Sequence, residues 1–347
     1  MVTQCILMVG NYLSRTGFNP TAYEFLPERL QALGWGVIVT SHKLARLPRV
    51  MDMVSVTWSK RHMYSLAQVD VYSGPAFLWA ELVCGVLRLV RKPYILTLHG
   101  GRLPTFALRW PRRVRRLLHS AVVVVVPSHY LLERMQPYRP DLRLLPNPID
   151  ISLYAFEPRR NPRPRLVWLR AFHRIYNPTL APKVVARLTQ EFPDVHLTMV
   201  GPDKGDGSFQ ETQRLAAQLG VDGRITSPGG VPKAAVPEWI GRGDIFLNTT
   251  NVDNTPVSVM EAMACGLCIV STDVGGIPYL LEHERDALLV PAGDADAMAS
   301  AVRRVLTEPG LAERLSRNAR RKAEQYDWSA VLPQWEELLS SAAGADD

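Results

Sequence analysis

Short apolar runs alternate with amphipathic segments along most of this chain. In the first half, the runs at 6–9, 37–40, 54–57, 69–72, 94–98, 121–126 and 142–145 predict strands. Segments 21–33, 77–90, 108–119 and 129–135 carry the spacing of half-buried helices. A Pro- and Arg-rich linker at 157–165 follows, and then the pattern restarts. Strands are predicted at 166–169, 197–200, 225–227, 245–248, 268–271 and 287–290, with helices at 178–191, 209–219, 234–240 and 256–264. A closing helix is expected from Tyr326 through Leu339. Strands alternating with helices at this spacing mean parallel sheets covered on both faces, here in two α/β units with a cleft between them. In such sheets ligands bind at the carboxyl ends of strands where the strand order reverses.

One stretch carries specific chemistry. Asp253-Asn254-Thr255-Pro256-Val257 leads into an apolar segment holding Glu261 and ending at Cys265-Gly266. A strand and the turn Gly275-Gly276-Ile277-Pro278 come next. Pro256 suits a first helical turn, where its missing N–H would be unpaired anyway, and Asp253 and Asn254 can cap that turn. The open N–H groups and positive dipole end there make an anion site. Glu261, up to two turns further on, is a poor partner for phosphate but a good acceptor for sugar or ribose hydroxyls. The combination reads as a nucleotide-sugar site.

The same residues resemble the Glu-x7-Glu region of retaining glycosyltransferases built from two Rossmann-like domains, the GT-B fold, and specifically glycosyltransferase family 4. Leu145-Pro146-Asn147-Pro148-Ile149-Asp150 resembles that family's inter-domain segment. Arg170 is similar to its diphosphate-binding arginine, and Gly229-Gly230-Val231-Pro232-Lys233 with Val236-Pro237-Glu238-Trp239 to its base-binding loop and following helix. The likeness is strong over 140–330 and thinner before it. It implies an N-terminal Rossmann-like acceptor domain at 1–155 and a nucleotide-sugar donor domain at 156–325. Residues 326–347 would form a helix crossing back to the first domain, and a tail.

Site roles follow from the resemblance residue by residue. Arg170 would neutralise the departing diphosphate, which its planar fork can grip through two oxygens. The family's lysine a few residues later is missing, and Arg174 is the nearest substitute, one residue out of register. Asp253 stands where the first glutamate is expected and would meet a hydroxyl of the transferred sugar. Glu261 would hold the ribose, with Gly230, Val231, Thr255, Pro256 and Val257 around the nucleotide. Its replacement by alanine should then abolish donor affinity and leave the melting of the free protein nearly unchanged. From the first domain, Gly10 to Gly17 is similar to the glycine loop approaching the donor, which places Gly17 in the donor set. His99, in His99-Gly100-Gly101 after a strand, would sit near the reacting sugar. No paired carboxylate nucleophile is apparent, so the implied route is front-face attack by an acceptor hydroxyl, with the leaving phosphate taking its proton. The enzyme would then contribute positioning and electrostatics. Two rival readings are a non-hydrolysing nucleotide-sugar epimerase and an inactive sugar-nucleotide-binding or scaffold protein.

Composition and charge narrow the partners. The chain has 347 residues, 47% of them hydrophobic, enough for two cores. The longest apolar run, 121–127, is far short of the roughly 20 residues of a membrane-crossing helix. Residues 1–10 lack the basic flank and cleavage site of a signal peptide, so a cytoplasmic location is expected. Residues 1–155 hold 19 Lys/Arg against 8 Asp/Glu, while the remainder holds 21 against 25. The excess concentrates at Arg109, Arg112, Arg113, Arg115 and Arg116, with Trp110 interleaved. Such a segment suits either a solvated helix face or an anionic membrane surface bearing a glycan or lipid-linked acceptor. Nucleic acid is not expected, since no recognised module accompanies the charge. Nor is a metal: Cys265 and Cys268 lack a second ligand pair, and Asp294-Ala295-Asp296 reads as a helix cap. No cofactor is expected beyond the nucleotide-diphosphate sugar as co-substrate.

Overall fold

Continuous Val/Ile/Leu runs can be buried only on both faces of a sheet, and the computed structural model places them so. It describes residues 4–13 and 22–344. The first six strands are β1 (Cys5–Val9), β2 (Gly36–Thr40), β3 (Leu66–Val71), β4 (Tyr94–Leu98), β5 (Val123–Val126) and β6 (Arg143–Leu144). They form one parallel sheet in the order β2-β1-β3-β4-β5-β6. The next six are β7 (Arg165–Leu169), β8 (His196–Val200), β9 (Ile225–Gly229), β10 (Ile245–Asn248), β11 (Cys268–Thr272) and β12 (Ala287–Val290). These make a second parallel sheet, β12-β11-β10-β7-β8-β9.

The chain divides into two compact units, one running to Pro148 and resuming at Ser329, the other spanning Ile149–Trp328. In the first unit α1 (Leu26–Ala32), α2 (Arg46–Ser59), α3 (Ala76–Leu89), α4 (Leu103–Arg109), α5 (Pro111–Leu118) and α6 (His129–Met135) cover the sheet. The second carries α7 (Leu180–Leu188), α8 (Ser208–Gln218), α9 (Val236–Gly241), α10 (Val257–Ala264), α11 (Ile277–Leu280), α12 (Ala295–Thr307) and α13 (Leu311–Glu324). Helix α14 (Trp328–Ala343) closes the chain and, from Ser329 on, belongs to the first unit, as the expected crossing-back requires. Its Trp335 is fully buried and meets the edge of Tyr23, ring centres 6.0 Å apart.

Three expectations are corrected. Residues 54–57 lie inside α2, not in a strand. The β-branched alternation there was misleading, because the buried positions Arg49, Met53 and Thr57 repeat every four residues, the period of a helix face. The helix expected over 108–119 is two helices that meet at Trp110. Pro111 forces the residue before it out of the helical region, and Trp110 sits at φ −130°, ψ 54°. The segment 157–165 is not a loose linker. Arg159 is buried, pairs with Asp244 at 2.9 Å and donates to the Gly243 carbonyl at 3.1 Å, which fastens the segment to the second unit.

Candidate active site

In the second sheet the chain runs from β7 outward through β8 and β9, then returns to add β10 on the other side of β7. The carboxyl ends of β7 and β10 are therefore the reversal point where a crevice opens in this architecture. Arg170 follows β7 directly, and the segment 249–256 follows β10. The Arg170 amide donates to the Val200 carbonyl at 3.0 Å. A Cβ on Gly201 would lie 1.7 Å from the Arg170 carbonyl oxygen, so only glycine lets the turn after β8 approach this closely. Gly201 also has φ +153°.

The Arg170 guanidinium stacks over Tyr176, 4.5 Å from the ring centre, and its Nη2 pairs with Asp253 Oδ2. Its Nε is buried with no hydrogen-bond partner among the described residues. Burial pulls the Arg170 pKa below its ordinary value, while Tyr176 and the Glu261 carboxylate pull it upward. A guanidinium with an unfilled donor at a strand reversal point is a seat for oxyanions.

Asp253 is held from two sides. Its Oδ1 accepts from the Asn254 amide at 2.9 Å, and its carbonyl accepts from the Gly276 amide at 2.9 Å. The Gly275-Gly276 turn is pressed against this loop. Added Cβ atoms would stand 2.3 Å from the Asp253 carbonyl oxygen and 1.8 Å from that of Asn254. The helix start differs from expectation here. Pro256 is the residue before α10 and not in its first turn, at φ −72°, ψ 113°, and no side chain caps the helix. Asp253 spends its Oδ1 on the amide of its own neighbour and not on the helix start. The carbonyl of Pro256 accepts from Val259 and Met260, whereas the amides of Val257 and Ser258 have no acceptor among the described residues. Thr255 and Val257 are half-buried and Pro256 is buried beside them.

Glu261, one turn into α10, is 3% exposed. The Tyr154 hydroxyl donates to its Oε1 at 2.7 Å, and Lys233 Nζ pairs with the same oxygen. Burial and the Glu261 charge both push the Tyr154 pKa upward. Gly230 and Val231 lead from β9 toward Lys233. A Cβ on Gly230 would lie 3.2 Å from that of Pro202, and Val231 packs on the apolar cluster that includes Met260. The structure thus gathers Arg170 with Asp253, and Glu261 with Lys233 and Tyr154. Arg174 is exposed and its side chain forms no hydrogen bond or ion pair among the described residues; only its backbone is engaged, the amide by Asp206 at 2.8 Å and the carbonyl by the Asn177 amide at 3.1 Å and Asn251 Nδ2 at 3.3 Å. Tyr154 and Tyr176 escaped sequence reasoning, because nothing in their spacing ties them to Glu261 or Arg170.

The first sheet also reverses, between β1 and β3. His99 follows β4 and its amide donates to the Val71 carbonyl at 2.8 Å. Its Nε2 lies 2.9 Å from Asp70 Oδ1, which also accepts from Gln68 Nε2 at 2.8 Å. The same amide nitrogen bonds Thr97 Oγ1 at 2.8 Å. Tyr72 stacks on the His99 ring and Tyr23 meets its edge, both with centres 4.9 Å apart. Gly17 lies outside the described residues.

Arg109, Arg112, Arg115 and Arg116 are exposed. Arg113 is half-buried, pairs with Glu81 through both oxygens and lies over Phe77, 5.3 Å from the ring centre. Leu108 and Trp110 stand exposed among these arginines. Asp294 Oδ1 accepts from the Ala297 amide at 2.9 Å as a helix cap, and Asp296 pairs with Arg187. Cys265 and Cys268 are buried, and burial pushes both thiols up to about 12. Among the described residues no helix is long and apolar enough to cross a membrane, and no group of three or more His, Cys, Asp or Glu is placed to hold a metal ion.

Comparison with known proteins agrees with both sheets. The family model for glycosyl transferases group 1 matches residues 155–322, and that for Glycosyltransferase Family 4 matches residues 2–153. Phosphatidyl-myo-inositol mannosyltransferase of Mycobacterium tuberculosis is 26% identical over 271 residues, covering 75% of this chain and 70% of that protein. The GDP-mannose-dependent alpha-(1-6)-phosphatidylinositol monomannoside mannosyltransferase of Mycolicibacterium smegmatis is 24% identical over 327 residues, 87% of this chain and 85% of its own length. In fold, the chain is similar to Anabaena HepE solved with UDP (TM-score 0.77, 17% identity, 98% and 100% of the two chains). It is similar as well to sucrose-phosphate synthase of Thermosynechococcus elongatus (TM-score 0.78, 18% identity, 97% and 98%). With its two halves matched in sequence and its two parallel sheets matched in space, this chain belongs to the glycosyl transferases group 1, a GT-B glycosyltransferase of family 4.

Proposed function

We propose that this glycosyltransferase is a retaining, metal-independent hexosyltransferase using a nucleotide-diphosphate sugar. The acceptor is a hydroxyl of a glycan or lipid-linked carrier in envelope polysaccharide or glycoconjugate synthesis. The observation that carries the reading is the half-buried Arg170, whose buried Nε is unfilled, at the reversal point of the second sheet beside Asp253 and the open amides of Val257 and Ser258. Arg170 and these amides neutralise the diphosphate as its charge grows, the part a divalent cation plays in other designs. Asp253 takes a hydroxyl of the transferred sugar while its second oxygen stays on Arg170. Glu261 takes the ribose hydroxyls, exchanging its contacts with Lys233 and Tyr154 for ligand. Front-face attack then leaves the proton with the departing phosphate, and no side chain is needed as nucleophile.

The names of the relatives point to GDP-mannose and an inositol lipid as the first donor and acceptor to try. A peripheral site on the inner face of the membrane accords with exposed Leu108 and Trp110 among Arg109, Arg112 and Arg116. Arg113 instead anchors α5 to Glu81 on α3, between the exposed Leu78 and Leu82. Vesicles containing an anionic lipid should bind the protein, and changing Arg109, Arg112 and Arg116 to glutamate should release it. Equal binding by both proteins would reject the membrane surface. For the reaction itself, the test is incubation with GDP-mannose or UDP-glucose and phosphatidylinositol or a membrane lipid extract, with the anomeric configuration of the product read by NMR. A product that keeps the donor's α configuration supports the reading. An inverted product, donor consumption that needs no acceptor, or donor binding without turnover would each reject it, the last two in favour of an epimerase and an inactive binder.

A further inference from the structure

Sequence reasoning placed Asp70 in a strand but assigned it no role at the site, yet it holds His99. Its carboxylate can only accept, so the His99 nitrogen 2.9 Å away, Nε2, must carry the proton. In the neutral ring this leaves Nδ1 unprotonated, and Nδ1 has no hydrogen-bond partner among the described residues. The ring cannot easily turn to exchange its nitrogens. Tyr72 stacks on it, Tyr23 meets it edge-on, and its side chain is 12% exposed. Asp70 is fixed in turn by Gln68, which is tied to Thr97, and by the Tyr72 hydroxyl at 3.5 Å. Gly10 completes the cradle: a Cβ there would lie 2.4 Å from Asp70 Oδ2, so the carboxylate occupies the space a side chain would take. A largely buried carboxylate, a clamped ring and a glycine making room for them form a built arrangement in which His99 Nδ1 is left open.

We propose that Asp70 is a positioning residue for His99: by holding Nε2–H it presents Nδ1 as a hydrogen-bond acceptor for a substrate sugar hydroxyl. The inference rests on the transferase reading above and adds to it the ring nitrogen that works and the residue that selects it. A fixed tautomer matters because a ring offering N–H in that direction would face a hydroxyl with a donor, and the hydroxyl would have to reorient.

The experiment uses the full chain with 15N-labelled histidine rings, in wild type, Asp70→Ala and Asp70→Asn. The wild-type ring of His99 should show the proton on Nε2. Asp70→Ala should release the ring into a mixture of tautomers and lower kcat about tenfold or more, with the donor KM moved far less. Asp70→Asn can offer its amide oxygen to the same two donors, so it should keep the Nε2–H form and most of the rate. A proton on Nδ1 in the wild type overturns the inference, as does an Asp70→Ala ring unchanged from wild type or an Asp70→Ala enzyme of undiminished kcat. Should Asp70→Ala fail to fold, the wild-type and Asp70→Asn spectra decide the matter. A wild type that transfers no sugar would count against the transferase reading, while the ring spectrum would still decide the role of Asp70.

Discussion

Replacing Gly276 by alanine should disable the donor site without touching a residue that meets the ligand. At Gly276 the backbone sits at φ −87°, ψ −4°, open to alanine, so conformation is not the obstacle. The obstacle is the 1.8 Å between the new Cβ and the Asn254 carbonyl oxygen, with the carbonyl carbon only 2.7 Å away. A carbon–oxygen contact needs about 3.3 Å, so one backbone must retreat by about 1.5 Å. Neither atom lies on a side chain that could swing aside. The retreat moves Asn254, and with it Asp253, whose carbonyl is bonded to the Gly276 amide itself. Overpacking of this kind costs about 1–3 kcal/mol in stability. Misplacing Asp253 by about 1 Å relative to Arg170 should lower kcat/KM on the order of 100-fold. Melting curves and turnover of the nucleotide sugar read both effects. An alanine variant that melts with the wild type and turns over donor at the same rate would refute the argument that this turn holds the loop.

Other expectations are simpler. Gly85→Ala, inside α3 with nothing within 4 Å of the new methyl, should raise stability by about 0.5–1 kcal/mol in denaturant titrations. Arg170→Lys keeps the charge but loses the fork over Tyr176. We expect donor affinity, read by calorimetry, to fall at least about tenfold, since a lysine is not equivalent at a stacked, bidentate site. Lys233→Ala should free Glu261 from its ion pair; the donor KM is expected to change while kcat stays within about twofold, because the partner is lost before chemistry begins. Gly10→Ala should push the Asp70 carboxylate off His99 and lower kcat, a loss that the same change at Gly85 would not cause.

Much of the architecture was legible because parallel strands are buried on both faces and so appear as uninterrupted apolar runs. The strands at 94–98, 245–248 and 287–290 stand where the runs placed them. Residues 54–57 failed for the converse reason: Val54, Val56 and Thr57 favour strands locally, but Met53 and Thr57 share the buried face of α2. The short helix α4 and the long α13 were not anticipated, although Leu311, Leu315 and Ala319 of the arginine-rich α13 repeat every four residues along its buried face. At the candidate site, motif spacing placed Arg170, Asp253 and Glu261 but could not tell their partners. Glu261 proves buried between Tyr154 and Lys233, so the expectation of an unchanged melting curve for Glu261→Ala is revised. That change strands a buried hydroxyl and should cost about 1–3 kcal/mol in the free protein. Asp70, Tyr72 and Tyr23 were illegible altogether, since only the folded first sheet brings them to His99.

The central claim, that the reversal point of the second sheet binds the nucleotide sugar, is tested most directly by calorimetric titration of GDP-mannose and UDP-glucose into wild type and Glu261→Ala. Circular dichroism would verify that the variant remains folded. The account predicts a saturable heat with at least one of the two donors and a loss of affinity of tenfold or more, about 1.4 kcal/mol, in the folded variant. Equal affinity of the two proteins, or no heat from the wild type with either donor, would contradict it.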